Sequence, residues 1–306
     1  MEEPLRESIK QVDANTWLIG GLILHRSRGY SNTSTWYDQE EDLSYNVTSA
    51  TIPLPTTVPL AVDDSRLKLV YDVAERSAVW SLGNSAFCKV KLCVDGTTSE
   101  AATLAYVHDK RPNNFEIPRV LYSAESNGRS YLFLSRVPGR TLADAWLTLD
   151  EKWKRHYVSA IADVCETLES WKGNTLCGVD GKNAYEPYLL ESRAAENYDP
   201  QNLLRPCKLM GMDCSKFVFC HADLGPTNVI VEDVPTKGTV GVIDWEIAGF
   251  FPRGWIRTKF RISSGLDLPE SVGDLSSQQW WRVEVQKLLG TRGFEDYSSE
   301  WQAWWY

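Results

Sequence analysis

The sequence predicts an α+β protein in two parts, a small β-rich part with one helix followed by a larger, mostly helical part. Three observations carry this. From about residue 66, short apolar runs separated by turn residues follow one another, "LKLVYDV", "SAVWSLG" and "SAFCKVKLCV", and read as strands. One helical stretch, "TSEAATLAYVHDK", comes after them. Beyond residue 150, "LDEKWKRHYVSAIADVCETLESWKG" sets Trp153, Tyr157, Ile161, Val164, Cys165, Leu168 and Trp171 at three- and four-residue intervals, the period of a long helix that buries one face. A chain of 306 residues, 43% of them hydrophobic, can bury a substantial core, and two lobes with a cleft between them are expected.

In chain order, residues 1 to about 60 show few strong periods and end in "ATIPLPTTVPL", whose three prolines suggest an extended connector. After the three strands, the helix around residue 100 has Thr98 or Ser99 as its cap. "IPRVLYSAESNGRSYLFLSRV" reads as a hairpin turning at Asn127 and Gly128. The long helix that follows is capped by Asp150 and ended by Gly173. Two β runs, "NVIVED" and "VGVIDWE", are joined by "PTKG". The C-terminal stretches "QQWWRVEVQKLL" and "SSEWQAWWY" read as helices.

The charge balance, 32 Lys+Arg against 41 Asp+Glu for a net −9, disfavours general affinity for nucleic acid. The seven cysteines (88, 93, 165, 177, 207, 214 and 220) are odd in number and hold no C-x-x-C pair, so reduced, mostly packing thiols are expected. The start "MEEPLRESIKQ" is acidic where a signal peptide is basic, and "WLIGGLIL" is too short and glycine-broken to span a membrane. A soluble, cytoplasmic protein is the expectation, with the sequons at Asn32 and Asn46 as chance matches.

The chemistry concentrates in "FVFCHADLGPTNVIVED". His221, Asp223 and Asn228 share one short loop with Gly225 and Pro226, and Asp244 follows at the end of "VGVID". Carboxylate and amide oxygens are hard ligands suited to Mg²⁺ beside phosphate oxygens. The pattern H-x-D-x-x-x-x-N, then apolar-apolar-D, is the arrangement by which kinase-like phosphoryl-transfer enzymes set a nucleophile positioner and two metal ligands.

On these residues, "HADLGPTNVIV" with "VGVIDWEIAGFFP", the chain resembles the aminoglycoside phosphotransferase and choline kinase-like family in its fungal-type branch, over about residues 75 to 262. The resemblance implies a protein-kinase-like two-lobe fold: an extension over 1–60, an N-lobe over 61–137 and a C-lobe over 138–306. It implies ATP- and Mg²⁺-dependent transfer to a hydroxyl of a small molecule. Asp223 matches the catalytic aspartate, Asn228 the loop asparagine on magnesium, Asp244 the metal aspartate, and His221 a residue that braces the loop. Glu246 is either a further metal or water ligand or the partner of a nearby Arg or Lys. "SLGNSAFCKVK" matches the turn over the nucleotide phosphates, where Lys89 or Lys91 meets the phosphates and pairs with Glu100. A place for Phe87 under the adenine favours Lys89, and the shorter spacing to Glu100 favours Lys91. Main-chain groups from Ser135 to Val137 are expected at the adenine edge, with Gly139 turning the chain into the large lobe.

Arg253, Arg257 and Arg261 share a face if "FPRGWIRTKFR" is helical, and that face is solvated or ion-paired, or holds an anionic substrate group. Trp245, Phe250, Phe251 and Trp255 are core or a cation-binding wall. No H-R-D, D-F-G or A-P-E is present, which sets protein kinase activity aside. The alternative to a small-molecule kinase is a non-catalytic nucleotide-binding or scaffold protein on the same fold. Neither the acceptor nor the oligomeric state follows from the sequence.

Overall fold

The computed structural model describes residues 3–61, 66–73, 76–191 and 196–306. They form two compact units, Met1–Asp95 with Pro118–Arg136, and Gly96–Ile117 with Val137–Tyr306.

The first unit is built from two antiparallel sheets. One holds β1 (Ile9–Asp13), β2 (Thr16–Ile19), β3 (Leu22–Arg28), β4 (Trp36–Asp38), β5 (Leu43–Ser49) and β6 (Val58–Pro59) in the order β4-β5-β3-β2-β1-β6. The other holds β7 (Leu67–Val73), β8 (Ser77–Leu82), β9 (Ala86–Leu92), β10 (Val120–Ser126) and β11 (Arg129–Ser135) in the order β10-β11-β9-β8-β7. Trp17, Leu24 and Tyr45 from the first sheet join Trp80, Val90 and Phe133 from the second in one core. Residues 9–59 therefore carry a six-stranded sheet. The "WLIGGLIL" stretch is its hairpin: Ile19 pairs with Leu22, and Gly20 at φ 58° supplies the left-handed turn. The β10–β11 hairpin turns where the sequence places it, with Asn127 and Gly128 both at positive φ.

The second unit opens with α1 (Glu100–Lys110), where the Ser99 side chain accepts from the Ala102 N–H. Gly139, at φ 112°, packs its Cα against the Val231 carbonyl where a Cβ would collide. There follow β12 (Arg140–Thr141), α2 (Leu142–Ala145) and α3 (Glu151–Glu169). Asp150 caps α3 by accepting from the Trp153 N–H at 2.8 Å. Gly173 does not end this helix, which stops at Glu169. Instead Gly173 lies in β13 (Lys172–Gly173), paired with Phe217, where the Phe250 ring leaves no room for a Cβ.

α4 (Pro200–Leu209) leads to β14 (Phe217–His221), β15 (Val229–Val231), β16 (Val240–Val242) and β17 (Ala248–Pro252). β14 runs between β13 and β17, with His221 opposite Ala248, while β15 and β16 form a hairpin beside β12. The Glu232 carboxylate closes that hairpin's loop by accepting from the N–H groups of Thr236, Lys237 and Gly238 and from the Thr236 hydroxyl. The chain ends in α5 (Gly254–Ile262), α6 (Leu275–Thr291) and α7 (Ser298–Trp305). Trp245, Phe250, Phe251 and Trp255 are core residues. All seven cysteines are unpaired, four of them buried. Among the described residues no helix is long and apolar enough to cross a membrane.

On α5, Arg253 reaches Glu169 and Glu295, Arg257 donates to the Phe294 carbonyl and Arg261 meets Asp296. That face is ion-paired and bonded within the unit. Lys259, two residues off the arginine row, points inward. Its Nζ lies 2.7 and 2.8 Å from the two Glu186 oxygens, and Trp255 Nε1 and the Tyr188 N–H donate to the same carboxylate. The pair is buried, with side-chain exposures of 3% and 0%.

Candidate active site

β14 delivers the chain into the loop that carries the site. At its last residue, His221 Nδ1 accepts from the Asp223 N–H at 3.2 Å, which leaves the proton on Nε2 for donation to the Ile243 carbonyl at 3.1 Å. The imidazole stands edge-on to Trp245 with centroids 4.7 Å apart. Burial holds its pKa down at about 4, so it is a neutral brace between the loop and the β15–β16 hairpin.

Asp223 is fixed from both sides. Asn228 Nδ2 donates to its main-chain oxygen and to its Oδ2, each at 2.9 Å, and the Ile243 N–H donates to the Asn228 carbonyl at 3.0 Å. One backbone bond thus ties the loop asparagine to the residue before Asp244. Asp244 sits at φ 64°, ψ 60°, a left-handed conformation that Asp tolerates better than most side chains. The next residue, Trp245, donates its N–H to Glu100 Oε1 at 3.0 Å. Carboxylate oxygens of Glu100, Asp244 and Glu246 lie within 4.8 Å of one another.

The second unit therefore joins Asp223 with Asn228, and Glu100 with Asp244 and Glu246. The place of Glu100 beside Asp244 was not legible in the sequence, because 145 residues separate it from its bonding partner Trp245. Val137 is buried, with its side chain against Gly241.

Lys89, Lys91 and Ser135 belong to the first unit. Both lysines are half-buried and alternate with Cys88 and Val90 on β9, so they share a strand face with Phe87. The Arg136 guanidinium lies 4.4 Å from the Phe87 ring centroid, over a ring that the sequence reading sets against adenine. Ser135 donates its N–H to the Arg119 carbonyl, and Arg136 donates to Ser85. In the β8–β9 turn, the Gly83 N–H donates to the Arg66 carbonyl, and Glu41 accepts from Asn84 Nδ2 at 2.9 Å. The sequence reading sets this turn over the nucleotide phosphates, and of its backbone donors the Gly83 N–H is engaged within the unit. That N–H is taken, and a carboxylate stands beside it.

Burial pushes the Asp223 carboxyl up to about 6, with Asp244, Glu186 and Glu246 adding to the rise and Lys259 opposing it. Because this pKa is raised, its stabilisation is present below the unfolded value of 3.8 and is lost as pH rises through about 6. For His221 the pKa is lowered, so its stabilisation is present above 6.5 and is lost as pH falls through about 4. Each is worth about 3 kcal/mol, and the two run against each other across the same window. Asp223→Asn removes one of them. Its stability relative to wild type should fall by about 2 kcal/mol on acidification from pH 6.5 to pH 4, as read by denaturant titration at a series of pH values. A difference independent of pH would show that Asp223 does not titrate there.

With this geometry in place, comparison with known families gives one answer. The model of the phosphotransferase enzyme family matches residues 94–255, just over half of the chain. The chain belongs to this family. A search of curated protein sequences returned no match. Solved structures similar to it include the aminoglycoside phosphotransferase APH(3'')-Id from Streptomyces rimosus, at 17% identity over 80% of this chain and 94% of that one, with a TM-score of 0.49. Another is a thermostable mutant of APH(4)-Ia in a ternary complex with AMP-PNP and hygromycin B, at 18% identity, 80% and 92% coverage and a TM-score of 0.47. A third is the gentamicin complex of APH(2")-IIa, at 13% identity, 77% and 80% coverage and a TM-score of 0.47. Membership of the phosphotransferase family stands on the matched stretch, which contains Glu100, Val137, Asp223, Asn228 and Asp244.

Proposed function

We propose that the chain transfers the γ-phosphoryl group of ATP to a hydroxyl of a small molecule, with Asp223 as the residue that orients and deprotonates the acceptor. The observation that carries this is the bonded line Asp223, Asn228, Ile243. It brings a half-buried carboxylate and two separate metal-type ligands, Asn228 and Asp244, into one construction.

The donor set fits magnesium. Among the described residues the group around Asp244 offers carboxylate oxygens, Asn228 adds an amide oxygen, and neither thiolate nor imidazole belongs to it, as a hard cation requires. Asn228 and Asp244 would hold the ion, with Glu100 and Glu246 close to Asp244. Bound there, Mg²⁺ supplies charge neutralisation on the phosphate oxygens. The chain's own residues do the rest. Asn228 holds the Asp223 carboxylate by one oxygen, leaving the other to accept the acceptor's proton, and His221 fixes the backbone on both sides of the loop. Lys89, or Lys91 on the same face, is proposed to meet the nucleotide phosphates, and main-chain groups at Ser135 to Val137 the adenine edge. A cytoplasmic setting, where ATP and Mg²⁺ are plentiful, accompanies this reading.

Mg-ATP at about 100 times its Kd should stabilise the protein by roughly 2.7 kcal/mol. Asp244→Asn, which keeps the left-handed backbone accessible while removing the charge, should abolish the part of that shift that depends on Mg²⁺. Thermal melts with ATP alone, Mg²⁺ alone and both will decide. A shift equal with Mg²⁺ alone, or none at all in wild type, would count against both the function and the alternative of a nucleotide-binding scaffold.

A further inference from the structure

Three oxygens, carried by β4, β5 and the loop between them, converge on the β8–β9 turn. Gly83 stands there at φ 55°, and a Cβ on it would lie 3.0 Å from Tyr45 Oη, 3.2 Å from Glu41 Oε2 and 3.7 Å from Asp38 Oδ2. The left-handed backbone suits glycine, and the missing side chain makes room for a cradle of oxygens.

Two of the three are buried and unbonded. Asp38 and Tyr45 are 2% and 1% exposed, and neither Asp38 Oδ2 nor Tyr45 Oη has a hydrogen-bond partner among the described residues. Other contacts hold both side chains in place. Asp38 Oδ1 accepts from the Glu40 and Glu41 N–H groups, each at 3.1 Å, and the Tyr45 ring stacks on Trp36 with centroids 4.7 Å apart. Glu41 Oε1 accepts from Asn84 Nδ2, so it is Oε2 that faces the cradle. A buried polar atom without a partner calls for a ligand or a bridging water. Water would satisfy the lone pairs but leave two carboxylates facing one point with no charge between them. Among the described residues no salt bridge reaches Asp38 or Glu41. Burial and then Glu41 raise the Tyr45 pKa, and Arg26 opposes them. The Arg26 guanidinium nevertheless donates through Nε and Nη2 to Asn15 Oδ1, at 3.2 and 2.7 Å, and bonds neither buried oxygen.

We propose that Asp38, Glu41 and Tyr45 form a Ca²⁺ site at this turn, with the two carboxylate oxygens supplying charge, the Tyr45 hydroxyl a neutral donor and water the rest of the shell. Hard oxygens from three places, one of them on an exposed side chain that can adjust, suit the flexible coordination of Ca²⁺ better than the strict octahedron of Mg²⁺. The site lies within the first unit and outside the stretch matched to the family. It does not depend on phosphoryl transfer.

Calorimetric titration of Ca²⁺ into the nucleotide-free full chain tests it. Wild type should bind, and Asp38→Asn and Glu41→Gln should each weaken that binding about tenfold or more, because each removes one of two ligand charges. Both variants preserve the local bonds, since the Asn oxygen still accepts from the Glu40 and Glu41 N–H groups and the Gln oxygen from Asn84; unchanged circular dichroism checks the fold. Asp244→Asn, which removes charge from the magnesium site proposed above, should leave this binding as it is, so the two sites are told apart. A wild type that takes up no Ca²⁺, uptake that survives Asp38→Asn, uptake lost with Asp244→Asn, or tighter binding of Mg²⁺ than of Ca²⁺ by the Asp244→Asn protein would each overturn the proposal.

Discussion

Asp223→Ala is expected to lower phosphoryl transfer by roughly 10²- to 10⁴-fold, the usual loss when a positioned acid–base group is removed, while Mg-ATP binding stays nearly intact. The split follows from how the loop is held. The Asp223 N–H donates to His221, and its main-chain oxygen accepts from Asn228. Both contacts are backbone contacts and survive truncation of the side chain. What is lost is the carboxylate whose Oδ2 accepts from Asn228, and with it the proposed proton acceptor. Calorimetric titration of Mg-ATP into the variant, followed by turnover with an accepted alcohol, measures the two halves separately. Abolished nucleotide binding with the fold preserved would show that Asp223 belongs to the metal site and that the proton acceptor lies elsewhere.

Glu186→Ala is expected to destabilise the protein by about 3–5 kcal/mol, the cost of stranding a buried charge. The Glu186 carboxylate accepts from Lys259 Nζ, Trp255 Nε1 and the Tyr188 N–H, and neither charged side chain reaches solvent. Truncation leaves the ammonium with Tyr188, whose ring centroid is 4.1 Å away, a contact too weak to replace a carboxylate. The double variant Glu186→Leu/Lys259→Met should recover much of the loss, because replacing a whole buried pair with apolar groups is often neutral or favourable. Denaturant unfolding of wild type, both single variants and the double variant gives the coupling. Additive losses across the cycle would show that the pair is not the source of the effect.

Sequence and structure divide along the distance between interacting residues. The loop of the candidate site was legible because its parts are local: His221, Asp223, Gly225 and Asn228 stand within eight positions, and the hairpin that brings Asp244 back is announced by two apolar runs and a turn. The caps at Ser99 and Asp150 were legible for the same reason, since a cap bonds three residues along the chain. The first sixty residues were not. Their strands are two to seven residues long, too short for periodicity to rise above chance, although the Gly-Gly turn inside "WLIGGLIL" marks a hairpin between two apolar runs.

By itself, then, the sequence determined which residues can do chemistry: a loop carboxylate, an amide and a second carboxylate at the end of a strand. Tertiary structure alone decided which polar groups meet. Glu186 finds Lys259 across 73 positions and Glu100 finds the Trp245 N–H across 145. The Gly83 N–H is taken by Arg66, and Glu41 arrives beside it from the other sheet. Helical and strand periods fix which face a side chain occupies. The partner on that face is set by how distant elements pack, because a buried donor or acceptor is satisfied by whatever group the fold brings within about 3 Å of it.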